Sequence, residues 1–218
     1  MLQENYITLK ENGHAQIVIR KSEFICSLAR VTTEEEAQAF IAQVRKEHYK
    51  ATHNCFAYVL GMHDEIQRQS DDGEPSGTAG VPILKVLQNL AVRNVCAVVT
   101  RYFGGIKLGA GGLIRAYSNA TSHALTEIGL VRRVVQQQVF FTIAYPLLGK
   151  LQNYLENKNI SILDTQFTDQ VTLEIAIDEE QSSTLQQQVY DFLNAQVTIT
   201  TGDLIYNELP YDPHQTEQ

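Results

Sequence analysis

Residues 98–117, VVTRYFGGIKLGAGGLIRAY, join a buried-strand pattern to a helical one through five glycines in the nine positions 104–112. Glycine at that density raises the entropy of the unfolded chain, so it needs a structural or chemical reason. Two readings fit. Bare backbone N–H groups at a helix start hold an anion, with Arg101 and Lys107 close by in sequence. Alternatively, Gly104 and Gly105 permit a positive-φ turn while Gly111 and Gly112 allow close helix–sheet contact. Known phosphate-loop templates do not choose between them. No Lys-Ser/Thr pair follows the spaced glycines, and Ile114 stands where a dinucleotide fingerprint requires glycine or alanine.

The charge pattern singles out the same region. The net charge of the 218 residues is −8, which disfavours tight nonspecific binding to free nucleic acid. Its parts differ: −4 over residues 1–80, +6 over 81–133 and −10 over 134–218. The glycine segment therefore lies in the one basic stretch, where a local face can meet a phosphate backbone or an acidic partner. No apolar run approaches the roughly 20 residues that span a bilayer. The opening MLQENYITLKENGHAQ has no basic start followed by an apolar stretch, so no secretory signal is read. The cysteines, Cys26, Cys55 and Cys96, are odd in number and form no CxxC, which suits a reduced, cytoplasmic location.

Periodicity divides the chain into two mixed halves. In the front half, GHAQIVIR and SEFICSLARV read as a hairpin turning near Lys21–Ser22. TTEEEAQAFIAQVRKEHY reads as a helix capped by Thr32 or Thr33. THNCFAYVLG reads as a strand, and DEIQRQSDDGEPSGTAG as a polar loop. GVPILKVLQNLAV reads as a helix, VCAVVTRYF as a buried strand, and GGLIRAYSNATSHALTEIG as a long helix. Residues 130–135 are expected to link the halves. From 136 the order is strand, helix (146–158), strand, strand, helix (178–195), strand, the split β-α-β-β-α-β pattern. The tail NELPYDPHQTEQ is expected to fray.

Three further motifs carry chemistry. In SDDGEPSGTAGVP (70–82), Asp71, Asp72 and Glu74 form either a hard-cation loop or a turn whose carboxylates bond local N–H groups; Thr78 is expected to cap the next helix. On their strand His53 and Cys55 share a face, the pairing an activated thiol needs, though no third orienting group is legible. Tyr102 and Phe103 either stack on bases or serve as strand-end aromatics of the core.

Together, DDGEPSGTAGVPIL and RYFGGIKLGAGGLIRAY at this separation, with KSEFI and THNCFAY, resemble the YigZ/IMPACT family. The likeness covers residues 15–130 strongly and 136–205 more loosely. It implies an α+β fold of two domains. One, over 1–132, is an N-terminal β-α domain of the type seen in ribosomal proteins and elongation-factor domain IV. The other, over 133–218, is ferredoxin-like, βαββαβ, similar to the last domain of the translocation elongation factor. In eukaryotic members the family is linked to control of translation under amino-acid starvation, through a partner-binding domain this sequence does not show. The expectation is a cytoplasmic, non-catalytic binding protein that regulates translation by contacting RNA, the ribosome or a translation factor, with no membrane partner. No cofactor, metal or catalytic residue is assigned, and the oligomeric state is left open. The phosphate or nucleic-acid surface is assigned to Arg101, Tyr102, Gly104, Gly105, Lys107, Gly109, Gly111, Gly112 and Arg115, with Arg93 adding charge. The competing reading is a phosphate-ligand enzyme: metal on Asp71, Asp72 and Glu74, phosphate on 104–112, and His53 or Cys55 in the chemistry.

Overall fold

A computed structural model of the chain describes residues 4–213; the first three residues and the last five of the expected frayed tail lie outside it. The chain forms two compact units. One comprises Tyr6–Arg132 with the chain from Leu209 onward, the other Arg133–Glu208 with the chain up to Asn5.

The first unit is built on a five-stranded antiparallel sheet of β2 (Gly13–Ile19), β3 (Ser22–Arg30), β4 (His53–Leu60), β5 (Ile66–Ser70) and β6 (Val95–Tyr102). Their spatial order is β2-β3-β6-β4-β5. The central β6 is apolar at every position from Val95 to Val99 because both its faces are covered. Val95, Ala97 and Val99 pack with residues of α2 (Gly80–Asn89) and α3 (Ala110–Ile128). Cys96 and Val98 pack with α1 (Glu34–Glu47) on the other side. Helix α1 starts as its sequence suggests: Thr33 accepts from the Glu36 N–H, and Glu34, Glu35 and Glu36 complement the positive end.

Two elements depart from expectation. The stretch read as a polar loop contains β5, paired with β4 from Leu60↔Ile66 to Phe56↔Ser70. It is an edge strand, half exposed and polar, so hydrophobic alternation does not announce it. The four-residue β1 (Tyr6–Leu9) is too short for periodicity to reveal; Ile7 bridges Val92 in parallel and accepts the Arg93 N–H at 2.8 Å.

Residues 130–135 open β7 (Leu130–Ile143), a continuous strand that carries the chain from the first unit into the second. There follow α4 (Leu148–Asn157), β8 (Ile162–Phe167), β9 (Val171–Ile177), α5 (Glu179–Phe192) and β10 (Thr198–Tyr211). Both β1 and β10 pair with β7, which is followed by β9 and β8; the β10-β7-β9-β8 part has the order of a ferredoxin-like sheet, so the fold is a two-domain α+β architecture. Leu151 and Leu155 of α4 and Leu185 and Val189 of α5 join Val139, Phe141, Leu173 and Ile175 in one core. Asn207–Tyr211, expected to fray, instead prolongs β10; β10 pairs only with β7, and an edge strand tolerates Pro210.

Candidate anion site at the start of the long helix

Strand alternation separates the two residues at the end of β6. Arg101 continues the series Val95, Ala97, Val99 and faces α2 and α3; Tyr102 continues Cys96 and Val98 and faces α1. Tyr102 is thereby spent: its hydroxyl lies 3.0 Å from His48 Nδ1, away from the glycine loop's charge.

Arg101 is not the free cation expected of it. Its side chain is 6 % exposed, and Nη1 donates to Glu74 Oε1 at 2.5 Å. The guanidinium lies between the rings of Phe24 and Phe103, 5.4 and 5.5 Å from their centroids. Its Nε–H has no acceptor among the described residues. Arg93 leaves the patch as well. It precedes the opposite end of β6, whose stretch from Val95 to Arg101 alone spans about 20 Å. It pairs with Asp64 at 2.7 Å and donates to the Met62 carbonyl.

The acidic loop turns inward. Asp71 accepts the N–H groups of Gly77, Ala79 and Gly80 at 2.8, 3.0 and 2.8 Å, which caps α2 from outside the helix. Burial opposes the Asp71 charge, but these three donors outweigh it and hold the carboxyl below its ordinary range. Thr78 does not cap α2, which begins at Gly80 after Ala79; its hydroxyl donates back to the Pro75 carbonyl at 2.6 Å. Asp72 accepts from Arg45 at 2.8 Å and from the Asn54 N–H at 2.7 Å. Glu74 is engaged by Arg101 and by the Tyr117 hydroxyl at 2.9 Å, with His53 Nε2 3.9 Å from its second oxygen. Among the described residues no group of three His, Cys, Asp or Glu side chains is placed to share a metal ion.

His53 and Cys55 do share a face, but the thiol is not activated. Cys55 Sγ lies 2.9 Å from the Asp71 carbonyl oxygen and 3.4 Å from the Tyr117 hydroxyl. Burial pushes its pKa up to about 12, and the charges of Glu74, Asp72 and Asp71 act in the same direction. His53 Nδ1 sits on the Asp72 carbonyl at 2.8 Å, on the far ring atom from Glu74.

The glycines divide by role. Gly104 is a packing glycine: a Cβ there would fall inside the Lys21 carbonyl group at the β2–β3 turn. Its N–H donates to Ser22 Oγ at 3.2 Å. Gly105 and Gly109 have φ of +83° and +71° with open space around them, so they shape the loop and bring it to the helix. Gly111 and Gly112 do not make the expected helix–sheet contact. A Cβ on Gly112 would meet only Leu108 Cβ, and one on Gly111 only Arg115 Nη1 at 3.7 Å.

Helix α3 thus begins bare. The first intrahelical bond is Leu113 N–H to the Gly109 carbonyl, which leaves the N–H groups of Ala110, Gly111 and Gly112 without an acceptor among the described residues. No acid stands in its first turn and no side chain caps it. Instead Lys107 precedes it and the Arg115 guanidinium folds back over it; both are exposed and neither meets a carboxylate among the described residues. A cleft of about 390 Å³ opens here, with Pro75, Phe103, Leu108 and Leu113 as apolar walls and Arg101, Glu74 and Lys107 as polar groups. The sequence offers Phe103 as a stacking or strand-end aromatic and Glu74 as a metal ligand or turn carboxylate; the structure brings both to this cleft, Glu74 as the partner of Arg101.

The chain resembles known proteins along both units. Residues 20–125 match the Impact N-terminal domain and residues 141–196 a domain of unknown function, DUF1949. The IMPACT family member YvyE of Bacillus subtilis is 47 % identical over 204 residues, 94 % of each chain. The IMPACT family member YigZ of Escherichia coli is 36 % identical over 176 residues, 80 % of this chain and 86 % of that one. A crystal structure of a hypothetical protein superposes with a TM-score of 0.58 at 32 % identity, over 91 % of this chain and 97 % of the other. The Impact match contains β6, the acidic loop and the first turns of α3, so the bare helix start lies inside the matched domain. With both units matched and the relatives aligned over most of their length, the chain belongs to the IMPACT family.

Proposed function

We propose that this chain is a non-catalytic regulator of translation that contacts RNA, free or in the ribosome, through the start of α3. The observation that carries the proposal is the uncompensated positive end of that helix. Three N–H groups there lack acceptors among the described residues, no acid stands in the first turn, and Lys107 and Arg115 add two full charges. Helices α1 and α5 each carry acids in the first turn and α2 is served by Asp71; α4, like α3, has no acid in its first turn. An anion supplied from outside is what the arrangement at α3 favours. The translation context rests on the family resemblance.

Arg101 does not belong to this surface as a charge, so the test uses the exposed cations. RNA affinity of the wild type should fall steeply with salt. Replacing both Lys107 and Arg115 by Ala should weaken binding and reduce the slope of log affinity against log salt by about 1.4, at about 0.7 per lost single-strand phosphate contact. Unchanged affinity and slope in that double variant, at unchanged melting temperature, would reject the surface. No helix among the described residues is long and apolar enough to cross a membrane.

A further inference from the structure

We infer that the cleft beside α3 is a seat for one unpaired nucleotide: the base enters against Phe103, and its phosphate rests on the amides of Ala110–Gly112. This deepens the RNA reading and rests on it. Two observations beyond the helix start point to a ligand. First, Arg101, with a side chain 6 % exposed, lines the cleft and keeps an Nε–H for which the described residues offer no acceptor. Second, Phe103 lines the cleft yet is 48 % exposed. One side of its ring lies against the Arg101 guanidinium, at 5.5 Å from centroid to Cζ. An exposed ring backed by a cation is a stacking platform.

The dimensions and chemistry narrow the occupant. A cleft of about 390 Å³ lies at the small end of ligand pockets. It has apolar walls for a planar ring and the exposed Lys107 at its polar side. Phosphate alone would not use Pro75, Phe103 and Leu113. A paired base cannot use them either, because its faces are stacked and its edge is occupied within the helix. An unpaired nucleotide satisfies both halves. The phosphate meets the amides and Lys107, and the base takes the apolar half.

The test separates this inference from the surface it builds on. Fluorescence anisotropy would compare a short labelled single-stranded RNA, the same strand annealed to its complement, and an abasic strand of equal length. Wild type should prefer the single strand over both others by at least about tenfold. Phe103→Ala should lower single-strand affinity about 5- to 150-fold, as loss of one stacked base does, so that the preference collapses. Phe103→Leu, which keeps apolar volume without the aromatic face, controls for folding and should show most of the same loss. Equal binding of all three RNAs by wild type, or an intact preference in Phe103→Ala, overturns the nucleotide seat. The phosphate surface then stands or falls on the Lys107→Ala/Arg115→Ala salt slope. Absence of binding to any of the three overturns both.

Discussion

Removing the Arg101 charge from its buried partner tests the central packing claim. The nearest nitrogen and oxygen are 2.5 Å apart and the side chains 6 % and 3 % exposed. With charge centres about 4 Å apart and an effective dielectric of about 20, their attraction is about 4 kcal/mol. Desolvation of two ions opposes it by several kcal/mol each, so the intact pair is close to neutral overall. Half a pair is not. Arg101→Met leaves the Glu74 carboxylate facing only the Tyr117 hydroxyl and His53, at a cost of about 3–5 kcal/mol. That corresponds to a fall of about 6–20 °C in the melting temperature at about 2–4 °C per kcal/mol. Glu74→Gln should also destabilise, by stranding the guanidinium between Phe24 and Phe103. The double variant buries no charge and should lose less than the sum of the singles by about 1.5–3 kcal/mol. Guanidinium unfolding followed by circular dichroism reads all four proteins. Arg101→Met costing under about 1 kcal/mol, or a cycle additive within about 0.5 kcal/mol, would falsify the buried pair. Lys107→Ala/Arg115→Ala should stay within about 0.5 kcal/mol of wild type, as exposed substitutions do.

Two further predictions concern protonation. Asp71→Ala uncaps α2 and strands three amides, at a cost of about 2–4 kcal/mol. Because the folded carboxyl titrates below its unfolded value of about 3.9, its contribution is full above about pH 4 and disappears as pH falls through the folded value. The stability gap between wild type and Asp71→Ala, from urea titrations at pH 7 and pH 3, should therefore narrow in acid; a constant gap refutes the capping role. Burial raises the thiols of Cys26 and Cys55 to about 12, against about 8.5 unfolded. Stability is unaffected below pH 8 and should fall by about 1.4 kcal/mol per thiol for each pH unit above about 9, since the unfolded chain releases protons the native state keeps. Thiol reagents should label neither residue until the protein unfolds; labelling at the rate of a free thiol would contradict that.

Much of this molecule is legible from local pattern. The apolar run Val95–Val99 marks a strand covered on both faces, and period-2 and period-3.6 spacing after residue 136 spell out the split βαββαβ order. The glycine segment is visible as a break between strand and helix, and the three glutamates after Thr33 announce a helix start. These are short-range signals, carried by residues within a turn or two of each other. The polar edge strand β5 lacks such a signal because its pairing, not its side chains, holds it.

What each charged residue does was not legible, because it depends on partners far away in the chain. Arg101 meets Glu74 across 27 positions and Tyr117 meets Cys55 across 62. Asp71 caps a helix that begins nine residues later. In sequence, Arg101 and Lys107 are neighbours on one basic loop, while Arg115 stands farther along, inside the helical pattern. Folding reverses this. Strand parity drives Arg101 into the core, and helical pitch brings Arg115 back over the glycines, beside amides that no carboxylate among the described residues reaches. Local spacing specifies the strands and helices; long-range packing decides which cations are neutralised and which remain for a ligand, because burial forces every charge it encloses to find a partner.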